Sequence, residues 1–165
     1  MNIRSKSKGF TIIEVVLVLA IAGLIFLMVF IALPSLQKSQ RDTQRKNDLS
    51  RILVQMTNYA SNNRGSIPDS LIIASATGNH KSFVQNYLDG TDIKTSGTSY
   101  AEPKTGSGYV FLATGAVPAN TGEIGYATSS KCGTDGAIVG GQGARQFAMT
   151  TILESQSAVY CVDNQ

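Results

Sequence analysis

Apolar and polar positions are distributed very unevenly along this chain. Residues 10–33 form one apolar run that a single charged residue, Glu14, interrupts. At about 1.5 Å per residue, a helix over this run is roughly 36 Å long, which is enough to cross a hydrocarbon layer of about 30 Å. We therefore predict a membrane-spanning helix over residues 10–33.

Residues 34–65 are polar but keep a helical pattern, so we predict that the same helix continues through them. Pro34 marks the join, and a kink or a weakened turn is expected there because proline removes one backbone hydrogen bond. Arg64 and Gly65 are typical of a helix C-terminus and its stop. Apolar residues at spacings of three and four predict one buried face, formed by Leu49, Ile52, Leu53, Met56, Tyr59 and Ala60.

Charged residues in this polar part of the helix also follow the spacing of three and four. Asp42 lies three and four positions before Arg45 and Lys46, and Arg45 lies three positions before Asp48. Such pairs stabilise the surface of a helix. We expect them on its solvated side.

Residues 66–165 have the composition of strands and loops, since 13 of the 16 glycines lie here with many Ser and Thr. Residues 154–157 are short enough for a hairpin turn, which favours an antiparallel sheet. The expected fold class is α+β, with a long N-terminal helix packed on a C-terminal antiparallel sheet. The predicted elements are a short helix, His80–Leu88, and strands at Tyr109–Thr114, Glu123–Thr128, Arg145–Leu153 and Ala158–Val162.

Length and charge exclude some classes of protein. A chain of 165 residues holds one globular domain, and a net charge of +3 is too small to indicate a nucleic-acid-binding protein. Residues 1–9 contain Arg4, Lys6 and Lys8 and no acid, so this leader is expected to stay in the cytoplasm while the rest crosses the membrane. A secretory signal peptide cleaved after Ala22 is an alternative, but the apolar run continues for 11 residues beyond it.

At the junction between the leader and the apolar run, Gly9, Phe10 and Thr11 follow one another, and Glu14 comes three positions after Thr11. Insertion of an ionised Asp at the centre of a bilayer costs about 2.5–3.5 kcal/mol of free energy. A carboxylate near the start of a membrane helix is therefore expected to have a functional role. If the chain is cut after Gly9, the new amine on Phe10 lies one turn before Glu14. The amine of a second copy, shifted along the axis, would neutralise Glu14 and set the register between subunits.

At these residues the chain resembles type IV prepilins and the related pseudopilins. Their signature is a basic leader ending in Gly, followed by Phe-Thr-x-x-Glu and an apolar helix, and the resemblance covers roughly residues 4–60. It implies the type IV pilin fold, cleavage between Gly9 and Phe10, N-methylation of Phe10 by a prepilin peptidase, and filament assembly aided by Glu14. A plain single-span anchor with an accidental carboxylate is the alternative.

The function that the resemblance implies is structural, with no cofactor: a subunit of a helical surface filament for twitching motility, adhesion or DNA uptake. The implied partners are further copies of the chain, the peptidase, an assembly ATPase, a platform protein and minor pilins. The subunit would wait as a single-pass protein in the cytoplasmic membrane before it joins an extracellular pilus. A pseudopilin of a type II secretion or competence system is the second hypothesis. A membrane-anchored binding module or enzyme is the third, although no catalytic motif is present and His80 has no evident acid or nucleophile as partner.

The chain has two cysteines, Cys132 and Cys161, with 28 residues between them. An exported chain with an even number of cysteines normally pairs them, so we predict this disulfide, which would pin the last strand to the sheet. A C-terminal disulfide is also common among pilins. Two free thiols, in a cell that does not oxidise its exports, are the alternative.

No motif in the sequence predicts a metal site. The cysteines and the one histidine lie too far apart in sequence for zinc. Asp89, Asp92 and Glu102 are a candidate calcium loop, as in some secretion pseudopilins, but the pattern of a calcium-binding loop is absent. We expect these three residues in a solvated loop.

Overall fold

A computed structural model of the chain describes residues 9–68, 71, 83, 86–88 and 100–165. Within these residues the chain divides into an N-terminal unit, up to Gln37, and a C-terminal unit, residues 38–165. The elements are one long helix, α1 (Ile12–Asn62), and six strands: β1 (Val110–Phe111), β2 (Glu123–Thr128), β3 (Ser130–Cys132), β4 (Ile138–Gly140), β5 (Phe147–Ile152) and β6 (Val159–Asp163).

Helix α1 confirms the prediction of one helix that continues through Pro34. It ends as its last residues predict, because Arg64 and Gly65 have positive φ angles of 57° and 82°. The Gly65 N–H donates to the carbonyl of Ala60 at 2.7 Å, which closes the helix end. A side chain at Gly65 would also place its Cβ 2.7 Å from Nε of Arg145, so both the backbone angle and the available space favour glycine here.

The main sheet has the strand order β1-β2-β5-β6. The pairs β2–β5 and β5–β6 are antiparallel, whereas β1 runs parallel to β2. The predicted hairpin between the last two strands is confirmed, and β2 has its predicted bounds. Strand β1 is shorter than predicted because Thr114 and Gly115 already form a turn.

A second, two-stranded sheet consists of β3 and β4, which are antiparallel. Nothing in the sequence pattern predicts these strands. Each has only three residues, so neither shows an alternation of apolar and polar positions long enough to indicate a strand.

The core of the C-terminal unit lies between α1 and the main sheet. The predicted apolar face of α1 is confirmed, since Leu49, Ile52, Met56 and Tyr59 are all at most 3% exposed. They form one cluster with sheet and loop residues, among them Ile124, Tyr126, Phe147, Met149 and Tyr109.

The predicted helix His80–Leu88 lies largely outside the described residues. Of its residues that the structure describes, Phe83 and Leu88 are buried in the core. The rings of Phe83 and Tyr87 pack on Tyr59, with centroids 5.4 and 5.5 Å apart. Phe83, Tyr87 and Leu88 therefore extend the core beyond α1 and the sheet.

The prediction of a solvated, charged side on α1 is wrong. Asp42, Arg45 and Asp48 are buried, with exposed fractions of 4%, 0% and 4%. Asp42 and Arg45 lie seven and four positions before Leu49, so helical periodicity puts them on the side that faces the core. They are tolerated there because other parts of the unit supply partners for their charges.

Candidate processing and assembly site

The residues of the predicted processing site lie at the start of α1. Gly9 and Phe10 are exposed and precede the helix, and Thr11 occupies the capping position. The carboxylate of Glu14 accepts hydrogen bonds from the N–H and the hydroxyl of Thr11, both at 2.9 Å. The Thr11 hydroxyl in turn accepts the N–H of Glu14 at 3.4 Å, which makes a reciprocal capping box. The spacing Thr-x-x-Glu is itself the sequence signal for this cap.

Phe10 and Glu14 lie on the same side of the helix start. Together with Val15, Val18 and Leu19 they line one open, apolar groove. The structure therefore brings the two predicted assembly residues together within one copy. Within this one copy, the carboxylate of Glu14 accepts its hydrogen bonds from Thr11.

The apolar part of α1 has no covering in the described residues. From Phe10 to Leu33 the large apolar side chains are between 43% and 89% exposed. This helix is long and apolar enough to cross a membrane. Surfaces of this kind are stable only against lipid or against other apolar side chains.

An ionic group with a buried centre and a partly exposed rim, the Arg45 cluster, joins α1 to two distant parts of the C-terminal unit. It consists of Arg41, Asp42, Arg45, Glu102 and Glu154. Arg45 donates to Asp42 at 2.7 Å, to Glu102 through Nε at 3.1 Å and through Nη2, and to Glu154 at 3.4 Å. Arg41 binds both oxygens of Glu154, at 2.8 and 2.9 Å.

Carboxylates of the Arg45 cluster also bind backbone groups. Asp42 accepts the N–H of Glu154 at 2.7 Å and of Ser155 at 2.8 Å, in the turn between β5 and β6. Glu102 accepts the N–H of Lys104 at 3.0 Å and of Thr105 at 2.7 Å. The cluster thus fixes a hairpin turn and the turn at 102–107 to the helix, and sequence spacing alone did not indicate it.

The pKa values agree with ionised carboxylates. Burial opposes the ionisation of Asp42 and Glu102, but hydrogen bonds from Ser155 and from Arg45 outweigh it, so the pKa of each lies below its ordinary value. The Arg41 guanidinium lowers the pKa of Glu154. Each of these carboxylates is matched by cationic or backbone donors, which is the condition for burying charge at acceptable cost.

Asp48 forms a separate buried contact beside this cluster. It accepts the hydroxyl of Tyr109 at 3.0 Å and a guanidinium N–H of Arg51 at 3.3 Å. Burial raises the pKa of Asp48, and burial beside this carboxylate raises the pKa of Tyr109. The contact therefore ties the strand region before β1 to α1.

Of the three residues in the candidate calcium loop, the structure describes only Glu102. Asp89 and Asp92 lie outside the described residues, as does His80. Glu102 is 2% exposed and belongs to the Arg45 cluster, so the expectation of a solvated position is wrong for it. In the described ranges no group of three His, Cys, Asp or Glu side chains is arranged to hold a metal ion.

Cys132 and Cys161 form a disulfide with their Cα atoms 5.7 Å apart, which confirms the predicted pairing. The bond joins the end of β3 to β6. It therefore links β6 to the small sheet, whereas β6 is already held in the main sheet by its ladder with β5. The carboxylate of Asp163 reinforces the same junction by accepting the N–H of Cys132 at 2.7 Å.

Comparison with known proteins identifies the N-terminal region. Residues 4–30 match the family described as the prokaryotic N-terminal methylation motif. This stretch includes Gly9, Phe10, Thr11 and Glu14 and most of the apolar run. No curated protein and no solved structure matches the chain significantly. Residues 4–30 thus carry the N-terminal methylation motif, the class III signal peptide that type IV pilins and pseudopilins share. The rest of the chain has an α+β layout, in which the long N-terminal helix packs on an antiparallel-rich sheet.

Proposed function

We propose that this chain is a pilin, the structural subunit of a type IV pilus. In this proposal a prepilin peptidase cuts between Gly9 and Phe10 and methylates the new amine, and the mature chain assembles into a helical surface filament. The observation that supports it most is the match of residues 4–30 to the N-terminal methylation motif, which includes most of the uncovered apolar part of α1. Motility, adhesion and DNA uptake are the roles such a filament serves.

The local structure around Gly9 supports cleavage there. Gly9 precedes the helix and is exposed, and no atom lies within 4 Å of the position that a side chain on it would occupy. The chain itself therefore imposes no need for glycine at this position. A requirement for a small residue would come from the active site of the peptidase.

Assembly exchanges the surroundings of the apolar helix. Before assembly, residues 10–33 lie in the cytoplasmic membrane with the leader on the cytoplasmic side; in the filament, the same side chains contact other copies. Because lipid is as apolar as these side chains, packing and polar contacts rather than water exclusion favour the filament. Cleavage creates a cation at Phe10, and pairing of this amine with Glu14 of another copy supplies such a polar contact.

Other components of the machine follow from the same proposal. An assembly ATPase and a platform protein drive the subunit out of the membrane, and minor pilins join the filament. Residues 66–165 coat the outside of the filament. The disulfide fits a domain that folds in an oxidising compartment.

The test is the N-terminus of the protein in filaments sheared from the cell surface. Mass measurement and sequencing should show a chain that starts at methylated Phe10. In Gly9→Leu cells, the full-length chain should accumulate in the membrane, because the peptidase does not accept a bulky residue. In Glu14→Ala cells, the chain should be cleaved normally but should give few filaments.

Three outcomes separate the alternatives. Normal cleavage of Gly9→Leu would refute the cleavage site. Wild-type filament yield from Glu14→Ala would refute the pairing role of Glu14. Cleavage of the wild-type chain without any surface filament would indicate a pseudopilin of a secretion or competence system instead.

A further inference from the structure

Strand β6 lies at one edge of the main sheet, next to β5. Leu153 donates its N–H to the carbonyl of Ala158 at 3.0 Å, so these opposite residues form a hydrogen-bonded pair. Hydrogen-bonded and non-bonded pairs alternate along an antiparallel ladder. The register therefore directs the backbone groups of Val159, Cys161 and Asp163 away from β5. We call these outward backbone groups the β6 edge.

The hairpin formed by β3 and β4 covers the β6 edge. A side chain at Gly136, in the turn of this hairpin, would place its Cβ 2.5 Å from the carbonyl oxygen of Val159. Cys132 is bonded to Cys161, and its N–H donates to the carboxylate of Asp163 at 2.7 Å. The hairpin thus reaches all three residues of the edge. Within the described strands it does so without a backbone ladder, because β3 and β4 form a sheet of their own.

The disulfide is the covalent part of a weak attachment. Strand β4 buries little surface, since its first residue is half-buried and the other two are exposed. The two ends of the hairpin meet at one hydrogen bond, from the N–H of Gln142 to the carbonyl of Ser129 at 2.8 Å. Ser129 and Gly141 have positive φ angles of 50° and 81°, so the chain turns sharply on both sides of the hairpin. A hairpin on such a neck can move as a unit once its far end is released.

We propose that the Cys132–Cys161 disulfide is a redox-controlled latch, and that its reduction opens the β6 edge for pairing with the β6 edge of a second copy. The reductant is a dithiol, which breaks the S–S bond, gives two electrons and two protons to the two sulfurs, and closes its own disulfide. Both cysteines are partly exposed, which gives the dithiol access. An uncovered strand edge pairs readily with an extended segment of another chain.

The β6 edge is complementary to another copy of itself. An antiparallel pairing centred on Cys161 places Val159 opposite Asp163 of the second copy, so every outward N–H and C=O meets a partner. The same register keeps the two Asp163 carboxylates from lying opposite each other, which would be destabilising. The two copies are then related by a two-fold axis, the commonest symmetry of protein dimers. A second copy therefore suits this edge in both backbone register and charge.

The first test measures the protein mass of the detergent-solubilised, full-length chain by sedimentation. Relative to the oxidised wild type, the variant with both Cys132→Ser and Cys161→Ser should have about twice the mass, as should the wild type treated with dithiothreitol. Adding Val159→Pro to the double variant should restore the wild-type mass, because proline at this position removes only an outward N–H. An unchanged mass without the disulfide would overturn the proposal. Doubling that persists with Val159→Pro would exclude the β6 edge as the contact.

The second test uses Cys161 as a reporter in the middle of the edge. In Cys132→Ser, the two Cys161 residues of a pair would have Cα atoms about 5.5 Å apart, within the range of about 4.4–6.8 Å that a disulfide spans. With oxidised glutathione as acceptor of the two electrons and two protons, this variant should form a disulfide-linked dimer about tenfold faster than Cys161→Ser. Cys161→Ser is the matched control because its free thiol lies on the hairpin. Equal rates would contradict the proposed pairing.

Amide hydrogen exchange checks that only the hairpin is released. The N–H groups of Tyr160 and Val162 face β5, so their exchange should stay slow in the variant without the disulfide. Fast exchange at these two residues would also overturn the proposal, because the main sheet would then have opened. None of these measurements requires cleavage or a filament. Failure of the proposed function would therefore leave them unchanged, and a monomer without the disulfide would refute the latch alone.

Discussion

The N-terminal and C-terminal units of this chain differ in how far they bury their own side chains and in where the polar partners of those side chains come from. In the N-terminal unit the large apolar side chains are at least 43% exposed, and the one carboxylate bonds to a residue three positions away. In the C-terminal unit even Arg45 is fully buried, and its partners come from segments up to 109 positions away. One unit needs lipid or other copies to be stable, whereas the other completes its contacts by itself.

This difference suits a subunit that changes its surroundings. Movement from membrane to filament would replace every neighbour of the apolar helix. A C-terminal unit whose contacts are internal can pass through that change without refolding. Variants that weaken one unit should therefore leave the other unaffected, and the following predictions test this independence.

The largest effect is expected from Arg45→Ala. Removal of this guanidinium leaves Asp42 and Glu102 buried without their main cation, which should lower the free energy of unfolding of the C-terminal unit by about 3–5 kcal/mol. Arg45→Met keeps most of the volume and should show a similar loss. Urea unfolding of the detergent-solubilised chain, followed by the near-ultraviolet signal of its tyrosines, measures the change.

Lys38→Ala is the matched control for Arg45→Ala. Lys38 is also a basic residue of α1, but it is exposed, so its loss should change the free energy of unfolding by less than about 0.5 kcal/mol. Cleavage after Gly9 should be normal in all three variants. Wild-type stability of Arg45→Met would show that the Arg45 cluster does not hold the unit together.

A somewhat smaller effect is expected from loss of the disulfide. In the variant with both Cys132→Ser and Cys161→Ser, the unfolded chain gains the freedom of a loop closed across 29 positions, which corresponds to roughly 3–4 kcal/mol. Amide hydrogen exchange should increase most in β3 and β4, because β6 keeps its ladder with β5. Equal exchange in β3 and β6 would contradict the assignment of the disulfide to the small sheet.

The smallest effect is expected from mild acid, between pH 7 and pH 5.5. The pKa values of Asp42, Glu102 and Glu154 lie below their ordinary values of 3.8 and 4.5. Their stabilisation is therefore complete above those values and is lost as pH falls through the folded-state pKa. Asp48, whose pKa is raised, acts in the opposite sense: its contribution is complete below 3.8 and is lost as pH rises through its folded-state pKa.

The pKa of Glu123 is also lowered, by hydrogen bonds from Asn120 and Ala119. Among the described residues of the unit, four carboxyls with lowered pKa values against one with a raised pKa predict a nearly constant melting temperature down to pH 5.5 and a decrease below about pH 4.5. Thermal unfolding of the solubilised chain at a series of pH values measures this profile. A melting temperature that rises on acidification from pH 4.5 to pH 3 would contradict the ionised state of the Arg45 cluster.

Much of the fold could be predicted because its signals are local. The apolar run, the spacing of Leu49 and Ile52, and the stop at Gly65 each depend on residues that are near one another in sequence. The order of Gly9, Phe10, Thr11 and Glu14 likewise lies within one short stretch. The pairing of Cys132 with Cys161 could be predicted because the chain has no third cysteine.

The parts that sequence reasoning missed depend on distant partners. Arg45 lies four positions before Leu49, on the side of α1 that faces the core, and only the positions of Glu102 and Glu154 in space explain how its charge is tolerated there. Strands β3 and β4 are too short to show a pattern, and they are held by the disulfide to β6. Pairings of this kind leave no local signal, because their stabilisation comes from segments brought together only in the folded chain.

The long reach of the Arg45 cluster also sets an order of events during folding. Arg41 and Glu154 are 113 positions apart, and a chain is synthesised from its N-terminus. Arg41 and Arg45 therefore emerge well before the carboxylate that completes their pairing, and contacts of such separation form late. The last hairpin of the chain thus closes the structure, and a subunit truncated before residue 154 would leave these two cations without that partner.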